Sequence, residues 1–378
     1  MKPERAWAVI DLDAIAYNLE RMRHNLPDKK ILAVVKADAY GHGSIAVAKK
    51  LAEQNIDILG VGTSREALDL RAAGISTPIL VLGALVEPEL DLLIEEDVSV
   101  TIHSPGRIEI LNQVALQLGR ILKVHLLVDT GMARLGVSCD QAVAHAKAIG
   151  ECKGLHLEGI GTHLPTPSDP LLVQRQRQIL HRIIDDLEVA GFDSLQIHVD
   201  ASESSLRDPD PRAGLVRIGG ALYGFFHKSP AGIGLRPALT LHSQVVYLRD
   251  HPPGRSIGYG GTYRTARQSR LATIPIGYHD GFPSTLSNRG QMLIRGQRVP
   301  VVGRVSMDYT VIDVTDVPGT VVGDEVVLIG SSGDQRIEAE EIAQWCGILP
   351  YEVTCLLGRR INRHHLGKIS EEIILEGR

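Results

Sequence analysis

The sequence predicts an α/β chain with an amino-terminal (β/α)8 barrel and a carboxyl-terminal, mainly β domain, and three observations lead there. Eight short apolar runs alternate with longer stretches of helical period between Ile31 and Gly220. These units fit within about 200 residues, the usual size of such a barrel. After Arg236 the pattern changes to β-rich runs separated by turns such as Pro252-Pro253-Gly254 and Pro318-Gly319.

The apolar runs are Ile31–Val35, Ile58–Val61, Ile79–Leu82, Val98–Ile102, Val124–Val128, Leu157–Gly161, Leu195–Val199 and Leu215–Ile218. Each is short and bounded by polar or turn residues, the pattern of a strand buried on both faces. Helices are expected between them at Ser44–Gln54, Ser64–Ala73, Pro88–Glu95, Pro105–Leu118, Gln141–Ile149 and Leu171–Ala190. Ser64 and Asp140 have the type and position of N-caps. An open doubly wound sheet is the alternative. The count of eight and the lack of a G-x-G-x-x-G turn after the first strand favour the barrel. Further on, strands are expected at Thr240–Leu248, Arg270–Ile276, Gln291–Ile294, Val299–Val305, Tyr309–Val314 and Glu325–Ile329, with one clear helix near Ile337–Trp345. The expected division is residues 1–236 for the barrel and 237–378 for the β domain. The first ~10 residues are able to join the latter.

Composition narrows the class. The 378 residues are 44% apolar and 22% charged, as in soluble globular proteins. A formal net charge of -5 gives no case for nucleic acid, which calls for a basic face. Cys139, Cys152, Cys346 and Cys355 form no C-x-x-C pair, so neither a zinc site nor a disulfide framework is expected, and no metal. The opening Met1–Asp13 lacks a basic stretch followed by a long apolar run, and Pro78–Val86, the longest apolar segment, is far short of a membrane span. A cytoplasmic protein with no membrane partner is the expectation.

Active-site groups of a barrel come from the carboxyl ends of several strands. Lys36 ends the first strand, in Ala33-Val34-Val35-Lys36-Ala37-Asp38-Ala39-Tyr40-Gly41-His42-Gly43. Against apolar walls an ammonium loses charge, and a neutral amine attacks carbonyls; a lysine snorkelling off a strand end fits the fragment equally well. Asp129 ends the fifth strand with Arg134 in its loop, where a guanidinium is able to grip a carboxylate, although an ordinary surface arginine fits the stretch equally well. His163 follows the sixth strand, Ser202 the seventh, and Arg217, Gly219 and Gly220 mark the eighth. A hydroxyl and glycine N–H groups are parts of a phosphate nest, although glycine pairs also make plain turns. In the β domain, Tyr278, Met307 with Asp308, and Tyr351 stand at polar interruptions of apolar runs.

Together these segments resemble the alanine racemase family, over nearly the full chain from Val9-Ile10-Asp11-Leu12-Asp13 to Tyr351-Glu352-Val353. The resemblance lies in Ala33–Gly43, in Asp129–Gly136 (D-T-G-M-x-R-L-G), in Val216–Gly224 (R-x-G-x-x-x-Y-G) and in Gly277–Gly281 (G-Y-x-D-G). It implies pyridoxal 5'-phosphate held by Lys36 as a Schiff base, with Tyr40, Ser202, Gly219, Gly220 and Tyr351 on its phosphate. Arg217 then faces the pyridine nitrogen, Arg134 holds the phenolic oxygen and orients substrate, and Met307 and Asp308 border the substrate. It also implies a two-base racemisation of alanine, with Lys36 on one face of Cα and Tyr278 of a partner chain on the other, and His163 between Tyr278 and Arg217. Family members are homodimers, and their product, D-alanine, supplies peptidoglycan precursors.

The sequence departs from the family at several places. Leu127 stands where many members have a lysine carbamate that braces the arginine, so a chloride or a nearby carboxylate is expected beside Arg134. Ala133 replaces a usual glycine, Ala201 a usual asparagine, and His279 takes the variable place in G-Y-x-D-G. These changes leave open a serine or broad-specificity racemase. A decarboxylase of basic amino acids and a non-enzymatic carrier of the cofactor are more distant alternatives, disfavoured by Arg217, Tyr278 and the large β domain.

Overall fold

A computed structural model describes residues 4–226 and 233–367. They group into two compact units, each with its own internal contacts: a β unit that takes the chain through Ala14, Tyr40–Gly43 and from Pro237 on, and a barrel unit that takes Ile15–Ala39 and Ser44–Arg236.

The barrel unit is a closed parallel sheet of eight strands: Lys30–Val34, Ile58–Val61, Ile79–Val81, Val98–Ile102, Leu122–Asp129, Leu155–Gly161, Gln196–Ala201 and Leu215–Ile218. Neighbours pair in sequence order, and the ring closes where Leu215–Ile218 meets Lys30–Val34. The expected strands are all present, with shifts of a few residues at their ends. Ile31, Leu32, Leu59, Leu80, Val100, Val124, Leu126, Ile160, Val199 and Val216 are fully or almost fully buried, since strands with a barrel core on one side and helices on the other have no wet face.

The helices follow the expected stretches, with differences at their starts. Thr63, not Ser64, caps the helix Ser64–Ala72: its hydroxyl accepts from the Glu66 N–H while Glu66 reaches back, forming a capping box. The helix Ala142–Glu151 begins after Gln141 and has no side-chain cap. In the longest helix, Pro170–Val189, Asp169 accepts from the N–H groups of Leu171 and Leu172, and Pro170 fills the first turn. Its Val173, Gln176, Arg177, Leu180, Ile183, Ile184 and Leu187 are buried at three- and four-residue spacing, so one stripe faces inward. Leu12–Asn25 and the six-residue Ser202–Arg207 are further helices that the periodicity did not disclose.

In the β unit, Ala6–Asp11 lies between Leu239–Gln244, antiparallel, and Asn362–Leu366, parallel. That sheet continues through Glu325–Ser332, Gln291–Ile294 and Gln297–Pro300. The run Thr240–Leu248, expected as one strand, is two: Leu239–Gln244 belongs to the large sheet and Tyr247–His251 to a three-stranded sheet with Ser269–Ile274 and Thr310–Asp313. The break falls at Val245, whose N–H bonds Asp324 O while Val246 N–H bonds Thr273 O, so the chain changes sheets there. The expected helix is Ala339–Cys346, and a second, Pro350–Cys355, follows it. No helix among the described residues is long and apolar enough to cross a membrane.

Asn18, fully buried, ties the end of the barrel unit to its start. Its Nδ2 donates to Leu222 O (2.9 Å) and Arg236 O (2.7 Å), and its Oδ1 accepts from Arg236 N–H (2.7 Å). Asn18→Ala leaves these buried groups unsatisfied and is expected to lower unfolding stability by about 2–3 kcal/mol. Urea denaturation checks this; an unchanged midpoint would contradict the latch.

Candidate functional site

Lys36 opens a turn with an unusual backbone. Lys36–Gly41 is helical, yet φ is 54°, 53°, 53° and 55° at Ala37, Asp38, Ala39 and Tyr40, and 82° at Gly41, so the turn is left-handed. For L-residues this conformation costs roughly 1–2 kcal/mol each, and strain on that scale survives only where the surroundings over-determine it. On the barrel side, Ala37 N–H donates to Glu66 Oε1 (2.7 Å), Ala39 N–H to Val35 O (2.9 Å), and Ser44 N–H to Asp38 Oδ1 (2.8 Å). Glu66 Oε2 accepts from Gly62 N–H at 2.7 Å as well, so one carboxylate clamps the helix start and the lysine turn together. Gly62 lies under the Lys36 stem: a Cβ there would stand 3.4 Å from Lys36 Cβ.

Within the β unit, Arg363 Nε donates to Gly41 O (3.0 Å) and the His365 ring meets His42 O at 2.7 Å. Gly41 is obligatory, because a Cβ would fall 2.1 Å from Thr354 O. Tyr40 meets Tyr351 edge-on, with ring centroids 6.0 Å apart. Burial, then Cys355 and Tyr351, push the Tyr40 phenol upward, so it stays a hydrogen-bond donor.

Lys36 is exposed at the strand end and is not enclosed by apolar walls as its sequence context suggests. Its charge is felt nearby: burial first, then Arg217, Arg134 and Lys36, push the His163 imidazole down to about 3, so His163 is neutral. Arg217 is buried. Its Nη2 donates to Thr162 O (2.6 Å) and Val199 O (2.9 Å) and makes a long contact to His163 Nδ1 (3.4 Å), while Nη1 meets His198 Nδ1 at 2.5 Å. Burial lowers Arg217 to about 10, with Asp200 opposing and Arg134 adding to the effect; it is still a cation at neutral pH. Among the described residues its Nε has no protein acceptor.

Ser202 Oγ accepts from Gly219 N–H (3.0 Å) and Ala221 N–H (3.2 Å), which shapes the turn after the eighth strand. The Gly219 N–H is therefore engaged, and among the described residues Gly220 N–H has no protein acceptor. Gly220 also lies against Phe226, where a Cβ would come within 2.8 Å of the ring.

Arg134 is exposed in a loop organised by Asp129. The Asp129 Oδ1 accepts from the N–H groups of Gly131 (2.9 Å), Met132 (2.8 Å) and Ala133 (3.0 Å). Burial raises this carboxyl, but the three bonds outweigh burial and hold it low. Ala133 has φ 56°, a left-handed position that explains why glycine suits it better. Among the described residues no carboxylate pairs with Arg134, so a protein carboxylate does not take the place of the missing carbamate beside Leu127.

In the β unit, Tyr278, Met307 and Asp308 are brought together. Tyr278 N–H donates to Ser306 O (3.0 Å) and His279 N–H to Met307 O (3.2 Å). Gly277 permits this, since a Cβ would come 2.3 Å from Ser306 O. Arg360 bridges Asp280 (Nε to Oδ1, 2.8 Å) and Asp308 (Nη1 to Oδ1, 2.7 Å), so the Asp308 carboxylate braces these turns. The sequence reading did not single out Tyr259. It sits at 72% exposure, against 48% for Tyr278, on the turn Tyr259–Gly261, where Gly258, Gly260 and Gly261 all have positive φ. A tyrosine set among three glycines is the signal that discloses it. Nor did the sequence reading single out His125, His198 and Glu158, polar residues inside apolar strand runs, or Glu66 in the first turn of a helix.

Glu66→Ala removes the acceptor for Ala37 and Gly62 N–H and is expected to destabilise the protein by about 2 kcal/mol. It should also raise amide hydrogen exchange at Ala37 ahead of the barrel strands. Unchanged exchange there would show that other contacts hold the turn.

Comparison with known proteins places this geometry. The family model of the alanine racemase N-terminal domain matches residues 10–226, and that of the C-terminal domain matches residues 238–365. An alanine racemase of Halothermothrix orenii is 39% identical over 368 residues, covering 96% of this chain and 97% of the relative. The solved alanine racemase of Clostridium difficile 630 superposes with a TM-score of 0.90 at 34% identity, covering 97% of each chain. A structure from Bartonella henselae, described as alanine racemase with covalently bound pyridoxal phosphate, superposes with a TM-score of 0.86 at 27% identity, covering 96% of this chain and 100% of that one. With a strained lysine turn at a strand end, a buried guanidinium beside a neutral histidine, and full-length likeness in both sequence and fold, the chain belongs to the alanine racemase family of isomerases.

Proposed function

We propose that this protein interconverts L- and D-alanine with pyridoxal 5'-phosphate, as a cytoplasmic homodimer that supplies D-alanine for peptidoglycan. The residues fit that cofactor. The Lys36 amine is exposed at a strand end, Gly220 N–H and Arg217 Nε have no protein acceptor among the described residues, and Ser202, Tyr40 and Tyr351 supply hydroxyls. When bound, the cofactor supplies an aldehyde that bonds amines and a conjugated ring that draws electrons from the bonds at Cα.

Racemisation then requires the chain to take a proton from one face of Cα and return one to the other. Lys36 is the proposed base on one face. Arg217 keeps its own protons at neutral pH, so its Nε would donate a hydrogen bond to the cofactor's ring nitrogen without giving up the proton, which would restrain side reactions. Arg134, exposed and without a carboxylate partner among the described residues, is the proposed clamp for the cofactor's phenolic oxygen and the substrate carboxylate. Met307 and Asp308 are proposed to border the substrate.

A tyrosine of the partner chain is the proposed base on the other face. Tyr278 holds that place by its G-Y-x-D-G motif. Tyr259 is a second reading, favoured by its greater exposure on a glycine-hinged turn, as suits a phenol that must reach beyond its own chain. His163 serves either phenol. With Nδ1 toward the Arg217 N–H its proton lies on Nε2, which is then a donor to a phenolate.

The observation that supports this reading best is the cationic mouth of the barrel, where Arg217, buried against His198, Thr162 and Val199, stands with Arg134 and Lys36 about a His163 imidazole that burial, and after it these three charges, keeps neutral. Purified protein incubated with each L-amino acid in deuterated water is expected to invert alanine, with solvent deuterium at Cα, well ahead of serine, lysine and arginine. Inversion led by serine, or release of carbon dioxide from a basic amino acid, would overturn the assignment. Of Tyr278→Phe and Tyr259→Phe, the variant that loses inversion by about 10²-fold or more identifies the second base. Retention of inversion in both would defeat the tyrosine mechanism.

A further inference from the structure

Arg217 is reached from the far side by a line of three side chains that the mechanism above does not use. Its Nη1 meets His198 Nδ1 at 2.5 Å, His198 Nε2 lies 3.1 Å from His125 Nδ1, and His125 Nε2 lies 3.3 Å from Glu158 Oε2. Both imidazoles are buried, whereas the Glu158 side chain is 25% exposed. The two ends of the line dictate its protons. A guanidinium only donates and a carboxylate only accepts. His198 Nδ1 must therefore accept, which puts its proton on Nε2; His125 Nδ1 must accept that bond, which puts its proton on Nε2, pointing at Glu158.

We propose that Glu158 is a positioning residue for Arg217, acting through neutral His125 and His198 so that one direction of hydrogen-bond donation runs from the guanidinium out to the carboxylate. The surroundings are built for this line. Gly159 and Gly161 on the sixth barrel strand leave room for the rings, since a Cβ would come 2.4 Å from His125 Nδ1 at the first and 2.3 Å from His198 Nδ1 at the second. The rings are tilted by 51° with centroids 5.2 Å apart, as end-to-end bonding requires and stacking does not. Burial, and after it the charge of Arg217 and then His125, holds His198 far below its usual range and hence neutral. The His125 bond, against the opposing effect of burial, holds the Glu158 carboxyl low and ionised. With Nη1 committed to His198 and Nη2 to strand carbonyls, the guanidinium plane cannot rotate, and Nε keeps one direction.

The inference rests on the reading of Arg217 as the group that faces the cofactor ring, and its test separates the two. In holoenzyme labelled with 15N in the histidine rings, His125 and His198 are expected to be neutral with the proton on Nε2. A proton on His198 Nδ1, or an imidazolium at either residue, would overturn the relay whatever the substrate proves to be. In Glu158→Leu holoenzyme, which has no acceptor for His125 Nε2–H, kcat for alanine is expected to fall about tenfold. KM should stay within about twofold, and the absorption band of the bound cofactor should shift. Unchanged kcat and band would also overturn the proposal. Should the variant fold poorly, the ring protonation of the unaltered holoenzyme still decides.

Discussion

A guanidinium buried in the barrel, with no carboxylate in ion-pair reach among the described residues, constrains what surrounds it. A buried charge is tolerated when it is well hydrogen-bonded, and Arg217 spends its Nη1 and Nη2 donors on the carbonyls of Thr162 and Val199 and the imidazole of His198. Those acceptors stand at the ends of the sixth and seventh barrel strands, so the parallel register of these strands decides where the cation sits. Burial first, and the charge of Arg217 after it, keep His163 and His198 neutral. Arg217 thereby adds to the effect of burial on two neighbouring imidazoles, and among the described residues its own Nε is the donor not spent on protein.

The left-handed turn after Lys36 is the second constraint. Four successive non-glycine residues with φ near 54° are unfavourable in isolation, and the fold offsets this through Glu66, Val35 and Asp38 on the barrel side and Arg363 and His365 in the β unit. The turn lets Lys36 end a strand at the barrel mouth while the next residues, Tyr40–Gly43, join the packing of the β unit.

Much of the fold was legible because its signals are local. Strands buried on both faces must be apolar and short, so Ile58–Val61 and Val98–Ile102 announce themselves at their true boundaries. The run Thr240–Leu248 misled because apolar alternation does not register a change of sheet, which the pairing partners of Val245 and Val246 impose. Ser64 looked like a cap, yet Thr63 one residue earlier has the extended backbone that a cap needs. The handedness of the Lys36 turn was not legible, since Ala, Asp and Tyr carry no preference for positive φ strong enough to read.

By itself the sequence determined the alternation of eight strands and helices, the later β region, and the motifs that hold Lys36, Arg134, Arg217 and Tyr278. Each depends on residue types at fixed short spacing, which the chain carries whatever its conformation. Only the tertiary structure decided which distant groups meet. His125, His198 and Glu158 lie on three different strands, and nothing in their local context joins them. Parallel pairing of the fifth, sixth and seventh barrel strands brings them into line, because neighbouring strands only a few ångströms apart turn separations of dozens of residues into hydrogen-bond distances.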